Sequence, residues 1–70
     1  MDVRHRIGLN VQRLRRDKKL SQEELAARAD VHQTYLSGVE RGVRNASVLV
    51  LARIAKGLSV DIEELVKRRK

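Results

Sequence analysis

Between residues 33 and 45 the chain gathers side chains that hydrogen-bond in fixed directions: Gln33, Thr34, Tyr35 and Ser37, then Arg41, Arg44 and Asn45. If 33–41 is helical, Thr34, Ser37, Gly38 and Arg41 share an outward side, because positions three and four apart are neighbours on a helix. The chemistry open to this set is recognition. The Gln33 amide can bond adenine N6 and N7 as a pair, and Thr34 offers a hydroxyl to any base edge or a methyl to thymine. Ser37, one turn further on, reaches a base or a phosphate. Tyr35 has two readings: contact with a thymine methyl or a phosphate, and packing against the preceding helix. Gly38 costs helix stability, and its small size would let the helix lie close to a DNA floor or backbone. Arg41, Arg44 and Asn45 follow where a loop would cross phosphates, contacts that position without specifying. Arg41 also suits a second role, countering the dipole at a helix C-terminus.

No comparable set supports catalysis. His5 and His32 lie far apart, and no carboxylate stands at metal-ligand spacing from either. Glu23/Glu24 and Glu63/Glu64 suit the first turns of helices, where acidic charge is favoured. There is no Gly-rich phosphate loop after a strand and no arguable Ser/His/Asp set. No enzyme, metal site or cofactor is expected.

The elements that would position the polar set are short helices. Ser21-Gln22-Glu23-Glu24 fits a capping box, in which Ser21 accepts from the Glu24 N–H and Glu24 reaches back to Ser21. Leu25, Ala26 and Ala29 then fall on one face, and Asp30 breaks the run. A second helix turns Leu36 and Val39 inward, and Gly42 stands where a helix end favours a left-handed residue. Two short helices across a tight turn, over residues 21–41, form a helix-turn-helix, whose second helix can enter a DNA major groove.

The order S-Q-E-E-L-A, apolar Val31, L-S-G-V-E-R-G, R-N-A-S and a later I-A-K-G-L-S-V resembles the lambda-repressor-like (Cro/cI-type, XRE) helix-turn-helix family. The run Thr34 to Gly42 with Arg44-Asn45 looks most like the small controller proteins of restriction–modification systems and related stand-alone repressors. The resemblance spans about residues 7–66. It implies an all-α, five-helix DNA-binding domain, a phosphate contact for Gln22 at the start of helix two, and a structural ion pair between Arg15 and Glu40. On residue chemistry alone, Gln22 is a polar first-turn residue and Arg15 and Glu40 are two surface charges. Asp30 departs from the family's turn glycine, and His32 from its usual serine or threonine helix start.

The totals fit this picture. The chain has 70 residues, read as one domain over 1–70, with a small core. It has no cysteine, so neither disulfides nor thiolate metal sites are available. Lys plus Arg is 16 against 9 Asp plus Glu, a formal charge of +7, which suits an anionic partner, nucleic acid before acidic membrane. Tyr35 is the lone aromatic residue, too few for a single-strand stacking platform. There is neither a long apolar run nor a signal-peptide pattern, so the cytoplasm or nucleoid is the expected location.

Helix one is expected over Met1–Lys19, with Asp2 as cap and Val3, Ile7, Val11 and Leu14 as its apolar stripe. Leu9 points away from that stripe. Gly8 costs roughly 1 kcal/mol inside a helix, and close approach of another helix would account for it. Ser47 should cap helix four, with Val48, Leu51, Ile54, Ala55 and Leu58 in the core. Leu49 and Val50 are surplus to that stripe, as are some of Ile62, Leu65 and Val66 on a helix five running from the Asp61 cap to about Arg68. A domain this small cannot bury all of them, so Leu49, Val50, Ile62 and Val66 are expected to form a dimer surface. The tail Lys67–Lys70 reads as a frayed, solvated charge run.

The expected function is a regulator that binds double-stranded DNA as a homodimer on a near-palindromic operator. It would repress by covering a promoter or activate by touching RNA polymerase; the sequence does not choose. The alternative is an antitoxin or other protein-interaction module on the same fold. A cationic membrane-surface peptide conflicts with the internal caps at Ser21 and Asp61.

Overall fold

The computed structural model describes residues 2–69. It has the expected all-α architecture of five helices: α1 (Val3–Asp17), α2 (Gln22–Ala29), α3 (Gln33–Glu40), α4 (Val48–Leu58) and α5 (Glu63–Val66). Each longer start but one is capped by a side chain. Asp2 Oδ1 accepts from the Arg4 N–H at 2.7 Å, and Ser47 Oγ from the Val50 N–H at 3.2 Å. At α2 the capping box is complete: Ser21 Oγ accepts from Glu24 N at 3.0 Å, and Ser21 N donates to Glu24 Oε1 at 2.8 Å. The exception is α3, where His32 makes no side-chain capping bond.

The helix ends follow one rule that does not depend on glycine. After α1, α2, α3 and α4 the chain steps through a left-handed residue, Lys19 (φ 57°), Asp30 (φ 57°), Gly42 (φ 77°) and Ser59 (φ 59°). In each case the next N–H returns to the last turn: Leu20 to Arg15 O, Val31 to Ala26 O, Val43 to Gly38 O and Val60 to Ala55 O. These are Schellman closures. A left-handed non-glycine costs about 1–2 kcal/mol. At three of the four ends the following residue repays this by entering or lining the core, as Leu20, Val31 and Val60 do. The closure stops α1 at Asp17, two residues short of the expected Lys19. The expected Met1 start lies outside the described residues.

The centre is built from Val11, Leu25, Leu36, Ile54, Leu58 and Leu65, all fully buried. Helix α4 packs on α2, while α1 lies against α3 and α5. Two members of the expected stripes are not in this core. Val3 is 50% exposed and Val48 is 70% exposed. Each is the first residue of its helix and overhangs the end of the packed region. Gly8 marks a close helix crossing: a Cβ there would lie 2.6 Å from the carbonyl oxygens of both Val39 and Glu40.

The C-terminal segment also differs from expectation. Asn10 is 3% exposed, on the face of α1 assigned to apolar residues. Its Nδ2 donates to Leu65 O at 2.9 Å and Lys67 O at 2.8 Å, and its Oδ1 accepts from Arg69 Nε at 3.0 Å. Asn10 thus takes carbonyls at the end of α5, which stops at Val66 instead of reaching Arg68, and Lys67 is extended. Arg69 further pairs with Glu64 at 3.3 Å and Lys67 with Glu64 at 3.9 Å. Up to Arg69 the tail is therefore tied back onto α1 and α5; Lys70 lies outside the described residues.

Candidate nucleic-acid interface

The attitude of α3 is fixed at its C-terminal end. Glu40 is 4% exposed. Its carboxylate accepts from Arg15 Nε at 2.7 Å (to Oε2) and from Arg15 Nη2 at 3.0 Å (to Oε1). Gln22 Nε2 also donates to Oε1, at 3.0 Å. The Glu40 carbonyl accepts from Gln12 Nε2 at 2.7 Å, and Arg15 Nη1 donates to Leu20 O at 2.9 Å. One buried carboxylate therefore joins α1, the start of α2 and the end of α3. A two-point guanidinium–carboxylate pair fixes direction as well as distance, and in a site this dry it holds only while both partners remain. In the sequence nothing marks Gln12 beyond its spacing of four from Gly8, which places it on the α3-facing side of α1.

The same network holds Gln22, for which the resemblance implied a phosphate contact: its side-chain amide donates to Glu40 and is half-buried. Only part of the amide remains free to meet an anion.

On the outer side of α3, Gln33 and Thr34 are exposed and Ser37 is partly exposed. Leu36 and Val39 face the core, as their spacing required. Tyr35 is half-buried and packs against the core. Its ring also carries Arg44, whose guanidinium carbon stands 5.5 Å from the ring centroid. Arg41, Arg44 and Asn45 are exposed. Gly38 departs from expectation: it is buried, covered by the Arg44 stem, and does not leave an open floor on α3.

Apolar surface remains on α4 and α5. Leu49 is 79% exposed and Val66 is 40% exposed, whereas Val50 and Ile62 are half-buried against the core. Ala52 and Lys56 border both the depression beside Leu49 and Val50 and the one beside Val60 and Ile62, so these residues line one continuous surface. Val66 sits beside α1, its carbonyl accepting from Arg6 Nη1 at 3.2 Å. Among the described residues no helix is long and apolar enough to cross a membrane.

Two short helices locked across a tight turn, the second presenting a polar rim, define a helix-turn-helix domain. The chain belongs to the helix-turn-helix family, whose pattern matches residues 11–65. It is 50% identical over 66 residues to the HTH-type transcriptional regulator y4dJ of Sinorhizobium fredii, a match covering 94% of this chain and 86% of the relative. It is 42% identical over 65 residues to control protein C.MunI of a Mycoplasma species, covering 91% and 88%. Among solved structures it is similar to the restriction–modification controller protein C.AhdI from Aeromonas hydrophila, with a TM-score of 0.87, 37% identity, and coverage of 89% of this chain and 94% of that one.

Proposed function

We propose that this protein is a transcriptional regulator that binds double-stranded DNA in a sequence-specific way, as a homodimer on a near-palindromic operator, at the nucleoid. One observation carries the reading. Gln33, Thr34 and Ser37 form an accessible polar rim on a helix whose far end is clamped by Arg15 and Gln22 through Glu40. The first turn of such a helix is the part that reaches base edges in the major groove. Gln33 and Thr34 therefore read bases, Ser37 supports them, and Tyr35 meets a thymine methyl or phosphate at the edge of the rim. Arg41, Arg44 and Asn45 grip the strands, and Gln22 adds a phosphate contact at the start of α2. The charge of +7 supplies the general attraction to the duplex. The chain works by binding rather than by turnover.

The second copy sits on the Leu49–Val50–Ile62 surface, with Val66 at its margin. Each copy then meets one major groove, and half-sites lie about 10 bp apart, one helical turn. Contact with RNA polymerase or simple promoter occlusion would follow from where the operator lies.

Titration of matched and mismatched duplexes at several salt concentrations tests the division of labour. Gln33→Ala and Thr34→Ala lose about 1–3 kcal/mol on the matched site and little on mismatched DNA, so preference relaxes. Arg44→Ala weakens all duplexes alike and reduces the salt slope by about one. If Arg44→Ala instead changed preference and left the salt slope intact, the assignment of readers and grippers would be reversed.

A further inference from the structure

We infer that Gly38 is a positioning residue for DNA binding: it is the seat that holds Arg44 against α3, with Tyr35 as the back of the seat. The inference rests on the DNA reading above and adds a residue that touches no DNA.

Three observations meet at this point. First, a Cβ on Gly38 would stand 2.5 Å from Arg44 Cγ, 3.3 Å from Nε and 3.5 Å from Cδ. The arginine stem thus lies along the strip of helix that glycine leaves bare, and any other residue would collide with it. Second, the Gly38 carbonyl accepts from the N–H groups of both Val43, at 3.0 Å, and Arg44, at 3.3 Å. The loop after α3 is folded back over the same residue that makes room for the side chain. Third, the guanidinium ends over the Tyr35 ring, 5.5 Å from its centroid, in range for a cation–π contact. No carboxylate pairs with Arg44 among the described residues, so no ion pair competes with the ring face for its exposed guanidinium.

The consequence is pre-organisation. Position 38 is a helix-surface neighbour of both 34 and 35, four and three residues away. An arginine laid over 35 and 38 is therefore carried beside Thr34 as part of the α3 surface. A free arginine loses much rotamer freedom when a partner fixes it; one already seated loses less, and its affinity is correspondingly higher. A glycine in mid-helix is otherwise unfavourable, and seating Arg44 is the return for that cost.

The test combines Gly38→Ala with Arg44→Ala and uses two measurements on the full chain. In the free protein, NMR should show Arg44 side-chain protons shifted upfield by the Tyr35 ring, and Gly38→Ala should abolish that shift. In titrations with an operator duplex selected by the unaltered protein, Gly38→Ala should weaken binding about tenfold, the effect of releasing one ordered long side chain. In the Arg44→Ala background the same change should weaken binding by less than about twofold, because the seat is then empty. Alanine favours helix more than glycine does, and circular dichroism shows whether each variant is folded. An equal loss in both backgrounds would overturn the inference and make Gly38 a direct point of fit against DNA. An Arg44 shift that survives Gly38→Ala would show that there is no seat. If the unaltered protein retained no duplex, the DNA reading would fall, while the ring shift would still report the seat separately.

Discussion

Arg15→Ala lowers the free energy of unfolding by about 3–5 kcal/mol, because it strands a buried carboxylate. Glu40 has a side chain only 3% exposed, and Arg15 supplies two of the three bonds to its carboxylate. Gln22 alone cannot replace that charge. For a chain of this size total stability is roughly 4–10 kcal/mol, so the change removes from about a third to all of it. The pair as a whole is not expected to contribute that much. Exchanging both members for apolar residues of similar volume, Arg15→Met with Glu40→Leu, should recover most of the loss, since no buried charge is then left alone. Urea unfolding of the two variants decides between these terms. If the single and double changes cost the same, the loss lies in packing and not in an unpaired charge. The double variant would fold with α3 less firmly aimed, and its DNA preference should be weaker than its stability suggests.

Gly8→Val has the next largest effect, a loss of about 3 kcal/mol or more. A Cβ at Gly8 would stand 2.6 Å from two backbone carbonyl oxygens of α3. Backbone cannot swing aside as a side chain does, so α1 and α3 must separate by close to an ångström to restore van der Waals distance (about 3.5 Å). Separation also breaks the Gln12–Glu40 bond of 2.7 Å and stretches the Arg15 pair. Leu9→Ala is the neighbouring control: Leu9 is 42% exposed, and its truncation should cost less than about 0.5 kcal/mol. Thermal unfolding of the two variants side by side checks the contrast. Equal losses would mean that the α1–α3 crossing has room for a side chain.

What could be read in the amino-acid sequence was whatever local rules govern. The capping box at Ser21 and the inward Leu25, Leu36 and Val39 follow from short-range geometry, and they set α2 and α3. Gly8 signalled a close approach, though not which helix approached. The departures arise where distant segments meet. Asn10 looks like a surface residue, yet it lies three residues from Ile7 and four from Leu14, on the apolar face; its partners, Leu65, Lys67 and Arg69, are more than fifty positions away. Val48 fits the stripe of α4 by spacing, but the core ends before it. Gly38 reads as open from helix spacing because the return of Arg44 over it depends on a loop with no periodicity. Helix ends at Lys19 and Ser59 carry no glycine, and their signal was the apolar residue that follows.

Selection of duplexes from a random pool by the unaltered protein, followed by footprinting of the enriched site, addresses the polar rim of α3 most directly. The expected product is a near-palindrome with half-sites about 10 bp apart, protected on one face of the helix, with preference at the positions beneath Gln33 lost in Gln33→Ala. Recovery of no common sequence, or of a site whose preference is unchanged in both Gln33→Ala and Thr34→Ala, would contradict the assignment of α3 as the reading element.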